Sequence, residues 1–268
     1  MLNIFLHEFR KNRLSLILWS VSMILLLALM MAIYPVVAED REGLITTVKA
    51  IMPEQLMEAF GLTRIDVTKV LGFYTMDPYL TVVLFGSIYA FMLGAGILLK
   101  EGKDKTIEFL LSKPIKRHEI ITSKLLVFFS NITIFNVSIG ISLVILFEIF
   151  ADGDYAFGVF ILLLLGPLLV HMLFGTLGFL FVAIKKKHTS VLAPGLGLIM
   201  VTFFFNKISN AADRFEFLKY VSPFEYVDPT DILICEKLNT NYVILIIVLV
   251  AINIVGTYYF YQKKDMLL

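Results

Sequence analysis

The sequence predicts an all-α integral membrane fold with six spanning helices and both termini on the cytoplasmic side. It adds an N-terminal amphipathic interfacial helix, a charged cytoplasmic loop with a helix of its own, and short re-entrant helices outside. Three observations predict this. Of 268 residues, 59% are hydrophobic and 17% charged, with 24 Phe and a mean hydropathy of +0.86, against roughly 45–50% apolar and about 25% charged in a soluble domain. Six apolar stretches approach the roughly 20 residues of helix that a bilayer core of about 30 Å requires. The segments between them alternate in Lys and Arg content.

The spans are expected at 14–37, 79–99, 125–147, 157–184, 189–205 and 242–261. With the N-terminus inside, 15 Lys and Arg fall on the cytoplasmic side and 8 outside, while Asp and Glu divide 6 to 16. Lys and Arg flanking the spans orient insertion, so both termini are placed inside. The first span follows Arg10, Lys11 and Arg13 and ends in a Val36-Val37-Ala38 string that resembles a signal cleavage site. Its apolar run is too long for a signal core of roughly 7–15 residues and reads as a membrane helix.

Ahead of that span, Leu2, Phe5, Leu6 and Phe9 share one helix face, with Asn3, His7, Glu8, Arg10 and Lys11 on the other. This pattern predicts an amphipathic helix over 1–13 lying in the membrane interface; a plain positive anchor for the first span is the alternative. In the first outer loop, MPEQLMEAFG has Pro53 at a helix start, Glu54 beside the positive helix end and Gly61 as a stop. Leu56, Met57 and Phe60 share a face, which predicts a short helix docked on the outer span ends.

The largest cytoplasmic loop, EGKDKTIEFLLSKPIKRHEIITSK over 101–124, has Asp104 as an N-cap, an apolar stripe of Ile107, Leu110 and Leu111, and Pro114 as a stop. A helix of about two turns is unstable alone. Its exposed apolar stripe therefore needs a partner surface. A second helix begins near Ile115 and runs into the third span, with Lys116, Arg117 and Lys124 near the membrane surface. In the fifth span, Pro194-Gly195-x-Gly197 predicts irregularity near the cytoplasmic side, read either as a tolerated kink or as a hinge. The outer segment 206–241, with SPFEYVDPTDIL, predicts short helices dipping back toward the membrane and no strand.

Little in the chain suggests chemistry of its own. There is no GxxxxGK[ST] phosphate loop; GILLKEGKD, residues 96–104, has the wrong spacing and an aspartate where the hydroxyl belongs. A GxSxG string and paired intramembrane carboxylates are missing too, which argues against a membrane enzyme. His7, His118, His171 and His188 lie far apart and no metal spacing occurs, so neither a metal nor a catalytic residue is assigned. Cys235 stands alone, as a bystander thiol or an intermolecular bridge. A net charge of +1 offers no footprint for nucleic acid. The polar residues inside spans are Asn131, Asn136, His171 and Asn253. Interhelical hydrogen bonding or lining a pathway are the two roles open to them.

MPEQLMEAFG, EGKDKTIEFLLSKPIKRHEIITSKLL and YVSPFEYVDP occur in an order that resembles the permease subunits of ABC-2 (type-2 ABC) transporters, over nearly the whole chain. The middle motif is the most specific: Glu101, then Thr106, Glu108, Phe109 to Leu111, Ser112 and Pro114, then Arg117 and Lys124. Lys103 to Lys105 depart from the more acidic or glycine-containing pattern of relatives. The resemblance implies a single transmembrane domain over 1–268 whose loop holds a coupling helix. Thr106, Ile107, Glu108, Phe109, Leu110, Leu111, Ser112, Pro114 and Arg117 would contact a separate ATPase subunit. Phe5, Leu6, Phe9 and Arg10 would belong to a connecting helix at the same interface.

The resemblance further implies a pair of permeases, identical or paralogous, with two ATPases that carry the ATP and magnesium, in a bacterial plasma membrane. Small permeases of this kind resemble exporters of amphipathic toxin peptides such as phenol-soluble modulins, and bacteriocin or bacitracin self-protection systems. A lipophilic peptide or antibiotic is thus the expected cargo. An ATP-independent carrier or channel is the alternative, with His171 as its mid-membrane ionisable group.

Overall fold

The structure, a computed structural model, describes residues 2–39, 65–103, 117–151, 153–185, 191–211 and 213–263. Among these there are helices and turns and no strand. The elements are α1 (Leu2–Met31), α2 (Tyr34–Glu39), α3 (Val70–Thr75), α4 (Asp77–Lys103), α5 (Arg117–Ala151), α6 (Phe157–Ile184), α7 (Leu192–Ala211), α8 (Pro229–Cys235) and α9 (Thr240–Lys263). Two 3-10 segments, Asp213–Val221 and Glu225–Val227, lie between α7 and α8.

Six helical stretches are long and apolar enough to cross a membrane: Phe5–Glu39, Asp77–Leu99, His118–Ala151, Phe157–Ile184, Leu192–Asn210 and Thr240–Lys263. Each overlaps one expected span, the fourth has the expected bounds, and the fifth begins at Leu192 rather than 189. The helices overrun the apolar stretches because helix propagation does not stop where hydrocarbon ends. α1 runs without a break for 30 residues, about 45 Å at 1.5 Å per residue. The amphipathic segment and the first span are therefore one helix. The chain turns at Ala32 and Ile33 before α2. Pro35 accounts for this, since it has no amide proton and its ring crowds the carbonyl one turn earlier.

The Pro194-Gly195-x-Gly197 string corrects an expectation. It does not interrupt the fifth span but lies in the first turns of α7, where helix amides lack partners and a proline costs little. The bare Gly195 admits Phe91 of α4, whose ring occupies the space a Cβ would fill.

α6 is central, packing along α4, α9 and α5, while α1 packs along α5. The α4–α6 contact is the closest. A Cβ on Gly94 would overlap the carbonyl oxygen of Gly175, and one on Gly178 would lie 2.6 Å from the carbonyl oxygen of Phe91. Small residues allow this approach, and dispersion then replaces the hydrophobic driving force that lipid cannot supply. On the outside, Leu14, Ile17, Leu18, Val21, Leu25 and Leu29 form an exposed apolar face of α1. Ile244, Ile247, Val248, Ile252 and Val255 do so on α9.

Two ends can be distinguished. At the loop end, α4 and α5 open onto the connection 104–116, and Thr122 of α5 meets the hydroxyl of Tyr258 of α9 at 2.7 Å. At the cap end, the short elements between α7 and α9 pack over α4 and α6. Tyr79 donates to the carbonyl of Val227 at 2.8 Å, Ser222 donates to that of Thr202 at 2.8 Å, and Ile232 is buried. The expected short helices in 206–241 are therefore present.

Candidate functional site

The expected ATPase-contact residues Thr106, Ile107, Glu108, Phe109, Leu110, Leu111, Ser112 and Pro114 lie outside the described residues, as does the expected outer helix MPEQLMEAFG. Arg117 is the first residue of α5, in agreement with a helix leading from the loop into the third span. What the structure does define is how the loop's two flanks are held.

Lys124 of α5 is only 1% exposed. Its ammonium donates to the carbonyl of Ile97 on α4 at 2.5 Å and lies 3.7 Å from Oε1 of Glu8 on α1. The side chain of Lys124, expected near the membrane surface, does not snorkel outward but is enclosed by three helices. Glu8 moves with it, from the polar outer face to the inner one. Its side chain is 13% exposed, and its Oε2 has no hydrogen-bond partner among the described residues. Asn12, one turn further on, is buried and donates to the carbonyl of Glu8 at 2.8 Å. The buried side of α1 thus reads Phe5, Glu8, Phe9, Asn12, Leu16, a helical repeat that includes polar residues. Of the expected connecting-helix residues, Phe5 and Phe9 stack with ring centroids 5.9 Å apart and pack on the core, whereas Leu6 and Arg10 are exposed.

The intramembrane polar residues separate by their partners. Nδ1 of His171 lies 3.1 Å from Oδ1 of Asn136 on α5, and its Nε2 lies 3.2 Å from the carbonyl oxygen of Val82 on α4. Gly86 leaves room for the ring; a Cβ there would overlap it. Asn136 also donates to its own helix at Ile132. Asn253 of α9 reaches Oγ1 of Thr176 at 3.3 Å and the carbonyl of Leu173 at 3.5 Å on α6. These three join helices. Asn131 differs, because it donates only to Val127 of its own helix and its Oδ1 has no partner among the described residues, although it is fully buried.

At the cap end, Glu225 accepts from Asn206 at 2.7 Å and Asn210 at 3.4 Å, both on α7. Burial, reinforced by the charge of Asp228, pushes its carboxyl up to about 7, against the opposing pull of Lys219. Burial raises Asp228 as well; it caps α8 by accepting the amide of Asp231 at 3.0 Å. Beside them is an open cavity of about 340 Å³, partly lined by Glu225, Asp228, Asp231 and the stacked rings of Tyr226 and Tyr242, 4.9 Å apart. Glu225 and Asp228 stand in the SPFEYVDP string, but nothing in the string indicated that they are buried. No cluster of metal-ligating residues occurs among the described residues.

The family model described as ABC-2 family transporter protein matches residues 2–266. This chain belongs to the ABC-2 transporter family. The comparisons with curated proteins and with solved structures return no match.

As an ABC-2 permease, the chain is a multi-pass membrane component of transport, and its arrangement suits that work. Close-packed α4 and α6 lie at the centre, Asn136, His171 and Asn253 join neighbouring helices, and at the loop end α5 is fastened to α4, α1 and α9.

Proposed function

We propose that this ABC-2 permease forms the translocation pathway of an ATP-driven exporter and couples to a separate ATPase subunit through residues 101–124. The observation that carries the reading is the family match over residues 2–266, joined to six membrane-length helices. The Lys and Arg distribution supports a cytoplasmic position for both termini and for this loop. The Ile107, Leu110 and Leu111 stripe is the docking face, and the sequence lacks a phosphate-binding loop that would let the chain hydrolyse ATP itself. A pair of permeases, identical or related, works with two ATPase chains, which hold the ATP and magnesium. ATP-driven closure of those chains biases the bundle between inward and outward openings.

The cargo is an amphipathic or lipophilic peptide or antibiotic, and the membrane is a bacterial plasma membrane. An aromatic, largely apolar bundle interior favours such a cargo over a bare ion. The alternative of an ATP-independent carrier relied on His171, and both of its ring nitrogens face groups of neighbouring helices.

The test is co-purification with an ATPase, followed by Leu110→Ala with Leu111→Ala. The double variant should insert normally and lose stimulated ATPase activity. Full stimulation in that variant would overturn the docking role. Stimulation of the reconstituted complex by amphipathic peptides tests the cargo separately.

A further inference from the structure

We propose that Lys124 is a positioning residue that fastens α1 to both helices bounding residues 104–116, so that the three loop-end segments move as one body. The inference rests on the coupling reading above for its use in transport, but not for its geometry.

A lysine near the end of a membrane helix ordinarily bends its flexible stem to place the ammonium in water. Lys124 does the opposite. Its side chain is 1% exposed, and it spans to the Ile97 carbonyl on one side and to Oε1 of Glu8 on the other. An ammonium withdrawn from water is costly unless it is paired and hydrogen-bonded. These partners therefore hold it in a single arrangement. Their placement matters as much as their charge. Ile97 lies less than two turns before the end of α4, and Lys124 about two turns after the start of α5, so the grip falls at similar depth on both flanks of the loop. The second contact recruits Glu8, within the first turns of α1. A displacement of the loop that moved α5 without α4 or α1 would strip the ammonium of a partner.

A buried charge pair is a poor source of stability, and its replacement by apolar side chains is often neutral or favourable. Stability and rigidity can thus be separated experimentally. Spin labels are placed at two exposed positions, Leu6→Cys on α1 and His118→Cys on α5, with Cys235→Ser removing the native thiol. Pulsed dipolar spectroscopy is then performed on the full chain in nanodiscs, diluted with unlabelled protein.

The parent and Lys124→Arg should each give one narrow distance. Combined Lys124→Met and Glu8→Met should lose that narrow distance while the melting temperature is unchanged or raised. A narrow distance retained in the folded double variant would overturn the proposal. If the double variant does not fold, Glu8→Gln, which keeps the size and removes the charge, decides in the same way: a broadened distribution supports the clamp and an unchanged one refutes it. The permease is measured alone, so this outcome is independent of ATPase stimulation, which tests the coupling reading by itself.

Discussion

His171 and Asn136 meet at 3.1 Å between the Nδ1 and Oδ1 atoms, and the other ring nitrogen of His171 lies 3.2 Å from the Val82 carbonyl oxygen. One side chain thereby joins α4, α5 and α6. The contacts tie these helices together, and the space for the ring is the missing side chain of Gly86.

Removal of this tie should have a modest cost, because interhelical hydrogen bonds in membranes average about 0.6 kcal/mol each. His171→Phe keeps a ring and should lower stability by about 1 kcal/mol, measured by unfolding in mixed detergent. Gly86→Ala should cost more, since its methyl overlaps the ring. The pair Gly86→Ala with His171→Ala should be less harmful than the sum of the two single changes, and strict additivity would argue against a direct clash.

The α4–α6 contact leads to a sharper expectation. Gly94→Ala sets a methyl against the backbone of Gly175, which cannot swing aside as a side chain would. The two helices must separate. A loss of about 1–3 kcal/mol is expected, in the range for overpacking, and Gly96→Ala on the same helix, with open space at its Cβ position, is the control that should leave the melting temperature nearly unchanged.

At the cap end, pH should act through Glu225. Its carboxyl holds a proton up to about 7 in the fold, against an ordinary value of 4.5. Between those values the folded state binds more protons than the unfolded chain, so stability falls as pH rises from about 4.5 to 7 and levels off above that. Asp228, also raised by burial, contributes in the same direction. Glu225→Gln should flatten most of the slope in melting temperature across this window. An undiminished slope would locate the titrating group elsewhere.

Asn253 and Thr176 provide a fourth check, on the α6–α9 packing. A double-mutant cycle with Asn253→Leu and Thr176→Val should return a coupling of about 0.6 kcal/mol, and at most roughly 1.7 kcal/mol. A coupling of zero would mean that the 3.3 Å contact contributes nothing.

Much of the fold could be read in the sequence because a bilayer leaves few choices. An apolar stretch that crosses hydrocarbon must pair its amides internally, so the fourth span, Phe157–Ile184, appears with its expected bounds. The string at 194–197 was harder to place. Whether a proline lies inside a helix or in its first turn depends on where the helix begins, and local pattern locates that start only to within a few residues.

The polar residues show the limit of a one-dimensional reading. Glu8 looked like part of a solvent face because polar residues on an isolated amphipathic helix ordinarily face water. Instead it shares the inward side with Phe5 and Asn12, because Lys124, far along the chain, supplies its counter-charge. Asn136, Asn253 and His171 could be named as buried polar groups, but not matched to their partners on α4, α5 and α6. The sequence by itself determined that this is a six-span ABC-2 permease with a charged, apolar-striped loop, since hydropathy, Lys and Arg placement and local motifs are properties of neighbouring residues. Only the tertiary structure decided which polar groups meet. Those pairings depend on how helices distant in sequence face one another, and that is set by the close approach of glycine backbones and the packing of aromatic rings around it.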